Sequence, residues 1–181
     1  MPTNYIYRMD HDTGLAPNIK YGICTLCGCK KTSIEKWAKK GSWIIGIGGN
    51  NTGKPNQVIY VMEVEDNPPY SKFTKRFPGK SRYLKGRCKL KAPVLISRKF
   101  YYFGENAFRL PNNLKHIIIH QHGCKRVSEE DIAKLRKHVL FITERRGYGI
   151  YGSPNNSKRK ILMKCRRKLK LLPESLTLKK C

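Results

Sequence analysis

Apolar residues along the chain recur at two spacings, and these lay out most of its elements. The bulky, branched run Tyr5-Ile6-Tyr7-Arg8-Met9 predicts a short strand, ended by the polar turn Asp10-His11-Asp12-Thr13-Gly14. Residues 32–40 predict a helix: Thr32 and Glu35 stand at capping-box spacing, Ile34, Trp37 and Ala38 share one face, Lys39 and Lys40 suit the C-terminal dipole, and Gly41 ends it. Ser42–Gly49 and Gln57–Val64 predict neighbouring antiparallel strands joined by a loop rich in Asn, Gly and Pro. Residues 66–92 hold Pro68, Pro69, Pro78, Gly79 and Gly86 among many cations and predict a long surface loop. Residues 93–97 and 100–104 predict further strands.

A second helix is predicted at about 128–144, with Ser128 and Asp131 at cap spacing, acids in its first turn, Ile132, Leu135, Val139 and Ile142 along one face, and Gly147 beyond its end. From 158 to 170, Ile161, Leu162, Cys165 and Leu169 fall at helical spacing among eight Lys/Arg, the pattern of a basic amphipathic helix. Together these elements predict the α+β class: a small mixed or mainly antiparallel sheet, or a partly closed barrel, with two or three flanking helices. At 181 residues the expected division is one domain over 1–152 and a basic tail over 153–181.

Composition adds that this is a folding chain rather than a disordered basic tail, since 39% of it is hydrophobic and it carries ten Tyr, six Phe and two Trp. No apolar run approaches the roughly 20 residues that cross a bilayer, and Met1-Pro2-Thr3-Asn4-Tyr5 lacks the look of a signal peptide. The expected location is the cytoplasm, with no membrane partner.

Charge changes the picture most. Residues 1–70 carry eight Lys/Arg against six Asp/Glu, whereas residues 71–181 carry thirty against six, so nearly all of the formal +26 lies in the later part of the chain. Such an excess attracts polyanions and points to a nucleotide or nucleic acid, without fixing which or the oligomeric state. Cations through residues 72–91 and the 158–170 run are the natural phosphate contacts, with Lys75, Arg76, Arg98 and Lys99 singled out.

Three groups of residues carry candidate chemistry. The turn gathers Arg8, Asp10, His11, Asp12 and Asn18 close to Tyr5, a set able to hydrogen-bond a base edge or exchange protons with it; the alternative is a loop that satisfies its own backbone. Gly46 and Gly48 lie in a strand that continues into a turn and not a helix, so they form no dinucleotide fingerprint; they suit close approach to the backbone, by a ligand in the pocket or by packing neighbours. The run Phe100-Tyr101-Tyr102-Phe103 sends two rings to each face of a strand; it serves as core, or Tyr101 or Tyr102 stacks a base.

Seven cysteines and no export signal argue against a disulfide framework. Cys24, Cys27 and Cys29 have spacing that could grip zinc, but Cys88 and Cys124 stand alone, so no second pair completes a site. No cofactor is expected.

The segments Asn4–Asn18, Cys24-Thr25-Leu26, Gly41–Gly49 and Phe100–Gly104 resemble the nucleotide-modification-associated domain 2 family of bacteria and bacteriophages. That resemblance implies a setting in DNA base modification, and the order of helix, Gly-Ser-Trp strand and Val-Ile-Tyr-Val-Met-Glu-Val strand is also similar to PUA-like barrels. The leading expectation is a binding protein that takes a nucleotide or flipped base in an aromatic, polar pocket with basic loops on phosphate. The alternatives are a phage-encoded, anti-defence scavenger of a cyclic nucleotide signal, and a nucleotide-modifying enzyme using Asp10, His11 or Asp12.

Overall fold

Strand pairing in the computed structural model, which describes residues 2–28, 34–81 and 88–155, gathers seven strands into one mixed sheet. In chain order the strands are β1 (Asn4–Met9), β2 (Cys24–Leu26), β3 (Trp43–Gly48), β4 (Gln57–Glu63), β5 (Leu95–Ser97), β6 (Phe100–Tyr102), β7 (Phe108–Arg109), β8 (Cys124–Val127) and β9 (Gly149–Ile150). The helices are α1 (Ile34–Trp37), α2 (Tyr70–Arg76), α3 (Pro78–Ser81) and α4 (Glu129–Ile142). The main sheet runs β8-β1-β3-β4-β6-β9, and β7 also pairs with β4. β1 lies parallel to β3, and β6 parallel to β9, while the remaining pairs are antiparallel. β2 and β5 form a separate antiparallel pair.

The period of two decides which residues meet on each face. Tyr5, Tyr7, Met9, Ile44, Tyr60, Met62, Phe100 and Tyr102 pack together with Cys24, Leu26 and Leu95 of the small sheet and with Ile34 and Ala38. Ile6, Ile45, Ile47, Val61, Tyr101 and Phe103 belong to a second cluster with Ile132, Leu135 and Val139 of α4. A third cluster joins Ile23, Cys27, Tyr70, Phe73, Val94 and Ile96. The main sheet is thus covered on both faces, which is why β1, β3 and β6 read as nearly continuous apolar runs.

The expected α+β class with a mixed sheet is what the chain adopts, and no closed barrel forms among the described residues. The strand pair at 43–63 and the α4 helix stand where the pattern placed them, the Ser128 side chain capping α4 by accepting from the Asp131 amide at 3.1 Å. Three expectations change. Residues 70–81 form α2 and α3 instead of loop, because Tyr70 and Phe73 bury against Val94 and Ile96. The first helix stops at Trp37; Ile34 and Ala38 bury, but Trp37 is 51% exposed and leaves their face. Cys88 is not an isolated thiol: pairing of β2 with β5 and the third cluster bring it to Cys27, Cα to Cα 6.0 Å, and the two form a disulfide. Thr32, Cys29 and the 158–170 helix lie outside the described residues.

Candidate functional site

The polar turn after β1 is held by what surrounds it. Asp12 is fully buried; its carboxylate accepts from the Tyr102 hydroxyl at 2.5 Å and from the Asn155 amide at 3.1 Å. Burial pushes the Asp12 carboxyl above its usual range, against these two hydrogen bonds, and pushes the Tyr102 phenol far up, helped by the Asp12 charge. Asp10 pairs instead with His122 at 2.8 Å, and His11 is exposed. Arg8 points to the opposite side, donating to Asn56 Oδ1 at 2.7 Å, Asn50 Oδ1 at 3.0 Å and the Ile119 carbonyl at 3.2 Å, so it ties the β3–β4 loop to the segment before β8.

Asn18 is buried in a separate place, facing α3. The Lys80 ammonium donates to Asn18 O at 3.0 Å, Asn18 Oδ1 at 3.1 Å, Lys20 O at 2.6 Å and Ile23 O at 2.5 Å. Burial brings the Lys80 amine down to about 8, still cationic at neutral pH, and the nearby Cys24 thiol goes up to about 12 for the same reason. Cys24 packs on Met62 with sulfurs 3.6 Å apart, Cys27 is in the disulfide, and Cys29 lies outside the described residues.

Gly46 and Gly48 make room for neighbours within the fold. A Cβ on Gly46 would stand 2.3 Å from the Tyr60 ring, and one on Gly48 2.0 Å from the Lys54 carbonyl. Tyr101 and Tyr102 are both buried, on opposite faces of the sheet: Tyr102 reaches Asp12, while Tyr101 packs against Tyr148 and Tyr151. Core packing takes both rings, so the expectation of a base stacked on an open face of this strand is corrected. Among the expected phosphate contacts, Arg76 pairs with Asp66 at 2.8 Å and Lys99 with Glu63 at 3.5 Å, while Lys75 and Arg98 are exposed.

One cavity gathers aromatic and basic groups on the surface. It holds about 520 Å³ at the edge of the sheet and is lined by Thr3, Tyr5, Lys36, Trp37, Lys39, Cys124 and Arg126. That volume falls within the roughly 300–1,000 Å³ of small-ligand pockets. Antiparallel pairing of β8 with β1 sets Arg126 opposite Tyr5, and α1 carries Lys36 and Trp37 over the same edge. The Tyr5 and Trp37 rings lie 6.4 Å apart at 35°. No lining residue is acidic, and no described carboxylate pairs with Lys36, Lys39 or Arg126. Burial raises the Cys124 pKa, so this wall presents a neutral thiol.

Of the residues singled out by sequence, only Tyr5 lines this cavity. Trp37 and Lys39 read as helix face and helix end, Lys36 carries no sequence assignment, and Arg126 reaches the site through a pairing about 120 residues apart in the chain. The available signal was a tryptophan with lysines on both sides near the end of the predicted helix.

A family profile described as "Nucleotide modification associated domain 2" matches residues 1–92 and 79–161. Among solved structures, the ASCH protein from Zymomonas mobilis aligns at 12% identity with a TM-score of 0.43, covering 74% of this chain and 94% of that one. A point mutant of that Zymomonas mobilis protein, a tyrosine replaced by phenylalanine, aligns with a TM-score of 0.42, again at 12% identity, over 74% and 96% of the two chains. No match is found among curated proteins.

Proposed function

The chain belongs to the nucleotide modification associated domain 2 family, and from that premise we propose that it binds a nucleotide or nucleic acid at the cavity between β1, β8 and α1. The observation that carries this reading is the concave wall itself: three cations and an exposed tryptophan with no acid among them. Cations in a concavity without a described carboxylate partner favour phosphate, because each contact releases condensed counterions and none must first leave a carboxylate. The large excess of positive charge over residues 71–181 strengthens the long-range attraction, and Lys75 and Arg98 add to it from the surface.

The Asp10–Asn18 turn supports a different part of the reading. Its polar groups hold the fold: Asp12 joins the turn to Tyr102 and Asn155, and Asn18 joins it to α3 through Lys80. Asp12 is held by Tyr102 and Asn155 and Asp10 by His122, so a binding protein fits the arrangement better than the alternative of an enzyme built on Asp10, His11 or Asp12.

The test is affinity for a fluorescent oligonucleotide across a range of salt, in the wild type and in a variant combining Lys36→Ala, Lys39→Ala and Arg126→Ala. Loss of three phosphate contacts should make the slope of log affinity against log salt shallower by about 2 for a single strand. An unchanged slope would remove the cavity from the reading. Competition by a free cyclic nucleotide at comparable affinity would identify a small-ligand scavenger instead of a polymer binder.

A further inference from the structure

We infer that the cavity takes an unpaired nucleobase, stacked on the outer face of Trp37, and so selects single-stranded over duplex nucleic acid; this rests on the nucleotide-binding reading above.

Trp37 supplies one platform and no slot. Its ring and that of Tyr5 are tilted and 6.4 Å apart, too close and too splayed for a base to enter between them. Tyr5 is buried, so it buttresses Trp37 from below and leaves the other side of a half-exposed indole to the cavity. The ring faces of bases inside a duplex are already covered by their neighbours, whereas an unpaired base offers a whole face to an aromatic side chain.

The cations stand where the phosphates of such a nucleotide would lie. Lys36 precedes Trp37 and Lys39 follows it on the α1 side, and Arg126 faces them from β8 across the cavity. The Lys39 backbone is fixed by donating to Ser42 Oγ at 3.1 Å, so the segment after α1 is anchored beside the pocket. Cations on two sides of one stacking ring suit a strand that passes over Trp37. Their phosphate contacts alone would not distinguish a single strand from a duplex, and so the preference lies with Trp37.

The chain's two tryptophans make this readable. Trp43 is buried on the other side of the sheet beneath Arg136, 4.8 Å from guanidinium carbon to ring centroid, so a base in the cavity reaches Trp37 alone. The experiment titrates the full chain, its Trp43→Phe variant and its Trp37→Leu variant with one mixed-sequence oligonucleotide, as DNA and as RNA, each single-stranded and as a blunt duplex at equal salt. Single strands should quench the emission of Trp43→Phe and bind more tightly than duplex. Trp37→Leu should weaken single-strand binding about ten-fold or more while keeping the salt slope. Thermal unfolding of Trp37→Leu, expected to match the wild type at so exposed a site, separates loss of stacking from loss of fold. Salt-dependent binding with equal affinity for both forms and no effect of Trp37→Leu would overturn the inference and leave the phosphate-binding reading standing. Absence of salt-dependent binding to either form would overturn both.

Discussion

Lys80 shows how one residue can decide a whole corner of the molecule. Four oxygens converge on its ammonium, three of them backbone carbonyls of the segment before β2, and together they hold α3 against the N-terminal turn. Lys80→Met would keep much of the volume and remove the charged donor these oxygens share, although Asn18 O, Asn18 Oδ1 and Lys20 O keep the amides of Thr25, Lys20 and Ile23, at an expected cost of about 2 kcal/mol, read as a lower denaturant midpoint at unchanged slope. Asp12 gives a pH signature. Its carboxyl titrates above the ordinary 3.8 when folded, so between that raised value and 3.8 the folded chain holds more protons than the unfolded one. Stability should therefore rise as pH falls through this window. Asp12→Asn should flatten that part of the stability profile, and a profile indifferent to the substitution would place the titration elsewhere. Neither role was legible in the sequence, where Asp12 and Asn18 looked like one polar cluster; residues far along the chain, Tyr102, Asn155 and Lys80, separate them.

At the scale of elements, α4 and the β3–β4 pair were legible because their signals are local. Ser128 caps α4, accepting from the Asp131 amide and donating to Asp131 Oδ2 at 2.7 Å, and Ser128→Ala should cost about 1 kcal/mol in equilibrium unfolding. The Gly46 position is fixed by a neighbour across the pair: Gly46→Ala would drive a methyl group into the Tyr60 ring, with an expected loss of about 1–3 kcal/mol. α2 was hidden by its proline-rich flanks, although Tyr70 and Phe73 supply the buried face that makes it a helix. Strand β8 was missed because Cys124-Lys125-Arg126-Val127 lacks the branched and aromatic residues of a buried strand; it is an edge, and its charges suit an edge. Missing β8 meant missing Arg126, and with it the cavity.

For the whole molecule, the charge distribution was readable from composition and named the class of partner, but it could not say which surface meets that partner. The fold answers by engagement. Arg8 clamps loops, Arg76 and Lys99 face carboxylates, Lys80 is enclosed, Lys75 and Arg98 stand exposed outside the cavity, and Lys36, Lys39 and Arg126 gather around one exposed ring. The aromatic run at 100–103, the most conspicuous in the sequence, is consumed by the two faces of the sheet because β6 lies within it, between β4 and β9. The single measurement that bears most directly on this account is photochemical cross-linking of the full chain to a single-stranded oligonucleotide, with the attached peptides identified by mass spectrometry. Attachment at peptides containing Trp37, lost when high salt is present during irradiation, is the expected result. Attachment confined to the Asp10–Asn18 turn, with none at Trp37, Tyr5 or Arg126, would contradict it.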